Sequence, residues 1–354
     1  MKILVVGDGH SAIHEVAVVD AFKQLGHEVN SFYWHSYFQS DNSFRRLSRR
    51  VQNKFLIGTT VNKLNDELVE MAINYQPRLI FIYRGTHIKS STLVELKRAL
   101  PNCEVFGYNN DDPFAPGHPP WLWRHFMKSI PIYDLVFAYR HHNLDDFVRY
   151  GANWVQLLRS WFVPELNHRI SLSYEDKLKY ECDVVFIGHY ENDGRIGYLE
   201  EVVKAGYFLR IFGPPYGWKR ALLKSKTLKH LAPVRPVWKT DYSKAISGAK
   251  IALCFLSKLN RDTYTRRCFE IPAIGTMLLC EYSDDMVCLY EAGKEADFFK
   301  STEDFIDKVK MYLENDDLRL QVANGGYQRV MRDGHDIVSR MAKVVELVES
   351  EIAP

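Results

Sequence analysis

Alternation is what most constrains this chain. From its first residues a short apolar run leads into a helical pattern, and the pair recurs. "KILVVGDG" runs into "AIHEVAVVDAFKQLG", where Ile13, Val16, Ala17, Phe22 and Leu25 share one helical face and Gly26 takes the position past its end. "EVNSFYW", "RLIFIYRG", "EVFGYNN", "LVFAYR" and "VQLLRSWF" then read as strands, separated by helix patterns such as "VNKLNDELVEMAINY", "TLVELKRAL" and "LDDFVRYG". Strand and helix in turn, joined by short loops, predict right-handed βαβ units on a parallel sheet.

The same grammar restarts after residue 165. "CDVVFIGHY", "FLRIFG", "KIALCFL" and "TMLLCE" are strand-like, with "RIGYLEEVVKAG" and "DYSKAISGA" as helices between them and two long helical patterns closing the chain. The polar stretch "PELNHRISLSYEDKLKYE", residues 164 to 181, has no sheet pattern and marks the joint. A length of 354 residues is ample for two domains. The expected architecture is α/β: Rossmann-like domains over 1–165 and 182–340, their parallel sheets facing a central cleft, and a final helix over 341–354 that packs back on the N-terminal domain. Open parallel sheets take ligands at the carboxyl ends of their strands, so motifs there carry the functional argument.

Composition removes several classes. A formal charge of +2 gives no reason to expect nucleic acid as a partner. The six cysteines form no C-x-x-C pair, which points to free thiols in a reducing, cytoplasmic setting. The opening apolar run stops at Gly7-Asp8 and reads as a first buried strand, not a leader. No run reaches the ~18 apolar residues of a membrane span.

The stretch "NRDTYTRRCFEIPAIGTMLLCE", residues 260 to 281, sets charge at the mouth of a buried strand. Asp262 or Thr263 is a suitable N-cap, so a helix is expected to start there and to carry Arg266, Arg267 and Glu270 on one face. A plain surface ion pair would contribute only ~0.3–0.5 kcal/mol. A helix start just past a strand end, flanked by Arg261 and Arg266, suits a diphosphate, and Glu270 suits a ribose diol.

This stretch resembles the donor-binding segment of the GT-B glycosyltransferases, and most closely their CgeB-like (spore-maturation-type) branch. "TRRCFEIPAIGTMLL", "DVVFIGHYENDGR", "LRIFGPPYGWK", "YSKAISGAKIALCF" and "RLQVANGGYQRVMRDGHDIVSRM" carry the resemblance over 182 to 341, with "NNDDPF" a weaker sign in the first half. Pro272 departs from the pattern and is expected to shorten or kink the helix. The resemblance implies a GT-B fold and transfer of a sugar from a nucleotide-sugar donor. It further implies Glu270 on the ribose, and Arg261, Arg266 and Arg267 on the diphosphate, with Arg266 the catalytic cation. Gly188 and His189 would lie beside the phosphates, Arg195 would be a second cation near them, and Tyr264 would line the sugar or base pocket. GT-B enzymes generally need no bound metal, and no Asp-x-Asp strand-end motif argues otherwise, so no cofactor and no metal ligand are expected.

On the acceptor side, Asp111 and Asp112 of "YNNDDPF" follow a strand and are candidate bases for the acceptor hydroxyl, with a turn as the plainer alternative. "GDGHS" places Gly9 and His10 after the first strand, without the third glycine of a dinucleotide fingerprint. Trp121 stands in a Pro-rich loop where a ring can stack on sugar. Residues 44–55 form a basic amphipathic segment able to rest on an anionic membrane, which would suit a lipid-linked glycan acceptor. The alternatives within this fold are a nucleotide-sugar epimerase and an inactive nucleotide- or sugar-binding module.

Overall fold

The computed structural model describes residues 1–40 and 42–350, so the last residues of the expected closing segment, 351–354, lie outside it. The described chain forms two compact units: Met1–Ser160 together with Ile337 onward, and Trp161–Asp336. The sequence boundaries at 165, 182 and 341 thus shift. Trp161, Phe162 and Val163 are buried in the second unit, where Phe162 donates its N–H to the carbonyl of His335. The polar stretch 164–181, read as the joint, falls wholly within the second unit and includes the helix Tyr174–Tyr180.

In the first unit six strands form one parallel sheet: β1 (Lys2–Gly7), β2 (Glu28–Tyr33), β3 (Leu79–Tyr83), β4 (Glu104–Tyr108), β5 (Leu135–Ala138) and β6 (Val155–Leu157), ordered β2-β1-β3-β4-β5-β6. β3, "LIFIY", is buried throughout, as a central strand covered on both faces must be. The helix Ile337–Glu349 belongs to this unit, packing against the helix Glu15–Gln24 and burying Met341, Val344 and Val348.

The second unit holds β7 (Cys182–Ile187), β8 (Leu209–Phe212), β9 (Ala249–Cys254), β10 (Met277–Glu281) and β11 (Asp297–Phe299), parallel and ordered β11-β10-β9-β7-β8. Each sheet has its own apolar core. The strand order of each unit reverses once, between β1 and β3 in the first and between β7 and β9 in the second. At such a point the connecting loops diverge and leave a crevice at the strands' carboxyl ends. Gly188 and His189 follow β7, the charged stretch follows β9, and Gly9 and His10 follow β1, so the sequence motifs stand at these two points.

Candidate functional site

In the second unit β9 and the loop after it deliver the chain to a helix at Arg267–Ile274, later than the Asp262 or Thr263 start expected. Those two residues are committed elsewhere. Thr263 donates its hydroxyl to Asp285 (2.8 Å) and accepts at its carbonyl from Ser283, while the Asp262 N–H turns back to Ser257. Among the described residues no side chain caps the helix; the Cys268 and Phe269 N–H groups bond the Thr265 and Arg266 carbonyls in a tight first turn, and the helix keeps its positive end there. Pro272 lies inside the helix, which ends two residues later at Ile274 and is capped by Gly275 in the left-handed conformation (φ 80°). A proline here removes the N–H that would bond the Cys268 carbonyl. The Tyr290 hydroxyl donates to that carbonyl instead, at 2.8 Å.

Glu270 is buried, with one carboxylate oxygen accepting from the Tyr242 hydroxyl at 2.8 Å and the other 2.9 Å from Arg266 Nε. Burial and the Glu270 charge push the Tyr242 hydroxyl far above its ordinary range, so it stays a donor. Tyr242 escaped the sequence reading because nothing in "DYSKAIS" points to a carboxylate 28 residues away. Arg267 lies over the loop after β7: a methyl group at Gly188 would sit 3.4 Å from its Nη1. Burial, and then the nearby Arg267 cation, hold the His189 imidazole below its usual value and hence neutral at pH 7. Gly188, His189, Arg266, Arg267 and Glu270 are therefore gathered at the β7/β9 reversal.

Three expected members are not part of that group as read. Arg195 is buried and spent: it grips Asp193 through Nε (2.8 Å) and Nη2 (2.5 Å) and donates to the His189 carbonyl at 2.6 Å. It braces the loop 189–194 and is no second cation for a ligand. Tyr264 is fully buried with its ring against Phe269, so it presents no surface to sugar or base. Arg261 is exposed at φ 48° in the loop ahead of the helix. A cavity of about 720 Å³ in the same unit, lined by Arg169, Lys177, Arg210 and Lys250, opens by the amino ends of β7, β9 and β10. Its guanidinium groups are engaged within the protein, Arg169 on the Gly275 carbonyl, Arg210 on those of Glu181 and Leu178 and Arg319 on the Tyr312 carbonyl and Asp316, so it is not the place for the expected chemistry.

In the first unit Asp112 is fully buried, accepting from the Phe114 N–H (3.0 Å) and Asn143 Nδ2 (3.1 Å). That is the turn reading of "NNDDPF", and it removes Asp112 as an accessible base. Asp111 is partly exposed and pairs with Arg84 at 2.5 Å, bringing the ends of β3 and β4 together. Trp121 packs its ring 5.3 Å from Phe55. His10 is exposed, contacts Asp8 through Nδ1 and lies over the His35 ring at 5.5 Å.

Two groups of side chains have the donor set for a metal. Asp8, His10 and His35 converge after β1 and β2. Cys254, Cys268 and Cys280 meet beneath the first turn of the helix Arg267–Ile274, the first two sulfurs 3.7 Å apart. Neither was visible in sequence, because each draws its members from separate elements. Among the described residues no helix is long and apolar enough to cross a membrane.

Residues 196–346 match the glycosyl transferase-like family. No curated protein matches the chain. Among solved structures, HepE of Anabaena in complex with UDP-glucose aligns over 99% of this chain and 100% of its own, at 13% identity and a TM-score of 0.65. Sucrose-phosphate synthase of Thermosynechococcus elongatus aligns over 99% of both chains, at 10% identity and a TM-score of 0.69. A Listeria monocytogenes protein described as a putative UDP-N-acetylglucosamine 2-epimerase aligns over 99% of this chain and 96% of its own, at 10% identity and 0.60. The chain accordingly has the GT-B glycosyltransferase fold, and a glycosyl transferase-like domain spans most of its second unit.

Proposed function

We propose that this GT-B enzyme transfers a sugar from a nucleoside diphosphate-sugar, bound at the β7/β9 reversal of the second unit, to an acceptor hydroxyl. One observation carries the reading: Arg266 and Arg267 stand at an uncapped helix start beside Gly188, with Glu270 a turn further on. As the glycosidic bond breaks, negative charge grows on the departing diphosphate and positive charge on the sugar ring. Fixed cations and the positive end of the helix beside the diphosphate favour that state over the ground state, without a metal ion. Neutral His189 adds a hydrogen-bonding group that does not compete for the same charge. Glu270, held by Tyr242 and Arg266, is set to accept from a ribose hydroxyl. The UDP-glucose complex of HepE makes a uridine diphosphate hexose the first donor to try. The motifs over 182 to 341 favour the CgeB-like branch.

Acceptor selection falls to the first unit, with Asp111 as the proposed base and Gly9, His10 and Trp121 as acceptor-side groups. The helix Ser43–Phe55 buries none of its residues. Phe44 and Leu47 are 82% and 62% exposed, and Arg45, Arg46, Arg49, Arg50 and Lys54 supply only positive charge. That combination suits an anionic bilayer and a lipid-linked acceptor, with the enzyme peripheral to a membrane on its cytoplasmic face.

The test is a thermal-shift screen against UDP, GDP, ADP, CMP and dTDP and their sugars, followed by donor turnover with and without acceptors. One nucleotide should stabilise the protein and its sugar should be consumed. No stabilisation by any of them would overturn the reading. Free nucleotide and an altered free sugar formed without acceptor would favour the epimerase alternative, and stabilisation without turnover the binding module.

A further inference from the structure

At the carboxyl end of β1 three side chains from two neighbouring strands meet at one point, outside the proposed donor site. The parallel ladder of β1 and β2 pairs Gly7 with Tyr33 and continues past both strands: the Trp34 N–H bonds the Gly7 carbonyl and the His35 N–H bonds the Asp8 carbonyl, each at 3.1 Å. This fixes His35 beside Asp8 through the backbone. Gly9 then turns the chain at φ 82°, where a side chain would drive into the Tyr33 ring, and brings His10 back over the same carboxylate. The outcome is one imidazole nitrogen from each histidine and a carboxylate oxygen, all within 4.8 Å of one another. His10 contacts Asp8 Oδ2 directly, and His35 Nδ1 lies 3.7 Å from Oδ1.

We propose that Asp8, His10 and His35 bind a divalent transition-metal ion of the zinc class in the first unit. The donor set argues for the class. Imidazole nitrogen suits zinc, nickel, copper and iron, whereas magnesium and calcium call for oxygen alone. Three protein ligands leave at least one coordination position for water or an added group. The site is reachable, since the His10 and His35 side chains are 57% and 49% exposed. A second feature points the same way. Glu15 is almost fully buried and accepts from the Asp8 N–H with one oxygen, while its other oxygen has no hydrogen-bond partner. That unsatisfied buried oxygen belongs to the residue bonded to Asp8, one of the three ligands. With the ligand atoms held by a strand ladder and a glycine turn, little is lost in gathering them.

The experiment strips the full chain with a chelator and titrates it with Co²⁺, read by visible absorption, and with Zn²⁺, read by calorimetry. One ion per chain should bind, with a nitrogen- and oxygen-type cobalt spectrum. His10→Ala and His35→Ala should each weaken binding at least tenfold, and His35→Asp, which restores a ligand, should recover part of it. Absence of binding to the wild-type chain would overturn the proposal. So would unchanged affinity in His35→Ala, or a thiolate-to-cobalt band, which would put the ion on Cys254, Cys268 and Cys280. UDP affinity measured on the same samples reports on the second unit, so this proposal and the donor reading fail separately.

Discussion

Replacing Glu270 by glutamine tests the donor site with the least disturbance of shape. In the native chain one oxygen accepts from Tyr242 at 2.8 Å and the other lies 2.9 Å from Arg266 Nε. The amide keeps an oxygen for Tyr242 but turns an NH₂ toward a guanidinium and removes the negative charge. Glu270 is 6% exposed and Arg266 24%, so the freed arginine can swing partly into water. The stability loss should stay near about 1–2 kcal/mol, below the cost of orphaning a fully buried charge. A hydrogen bond from ribose to a charged acceptor is worth about 1.5–3 kcal/mol, so losing the charge should weaken UDP binding roughly 10- to 100-fold. Calorimetry with UDP and with inorganic pyrophosphate, which lacks the ribose, separates the nucleoside contacts from the phosphate contact, and urea unfolding supplies the stability change. Tyr242→Phe, which leaves the charge in place, should weaken UDP only a few-fold. A folded Glu270→Gln chain that binds UDP as tightly as wild type would refute the assignment.

If Arg267 faces the donor diphosphate as proposed, Arg267→Ala should lower kcat more than it raises KM, because the diphosphate's charge is completed only as the bond breaks; steady-state kinetics with the identified donor decides this. His87 is buried between Trp34 and Phe38 and bonds Asn53 at 2.8 Å, and burial pushes its imidazole down to about 3. Below the ordinary histidine value the unfolded chain takes up a proton that the native chain refuses, so stability should fall by about 1.4 kcal/mol per pH unit between roughly pH 6 and pH 4. His87→Gln should flatten that part of the profile in urea unfolding followed against pH. Phe44→Ser with Leu47→Ser should abolish flotation with phosphatidylglycerol vesicles and leave UDP binding intact, whereas flotation unchanged by both would remove the helix Ser43–Phe55 as the contact.

The parallel sheets were legible because most strands are short apolar runs closed by a turn former, though β11, only three residues long, was not read; Gly188, His189, Arg266, Arg267 and Glu270 could be placed from what precedes and follows them. Their neighbours were not. Arg195 reads as a solvated cation until its loop folds Asp193 against it, since the spacing of the two residues does not reveal the turn. Tyr264 and Asp112 sit in polar-looking stretches whose backbones turn them inward. The meeting of Asp8 with His35 depends on strand register, a long-range property that no local window contains.

The helix Ile337–Glu349 gives the first unit a piece of chain made only after the second unit is complete. On the ribosome the N-terminal sheet therefore emerges with the flank of Glu15–Gln24 uncovered and waits through some 180 residues of synthesis, at roughly 5–20 residues per second. A nascent chain stalled before residue 337 is an unfinished first unit with an exposed apolar side, whatever the state of the second. Fusion partners or tags that strain this closing helix should thus harm the half of the molecule farthest from them in sequence.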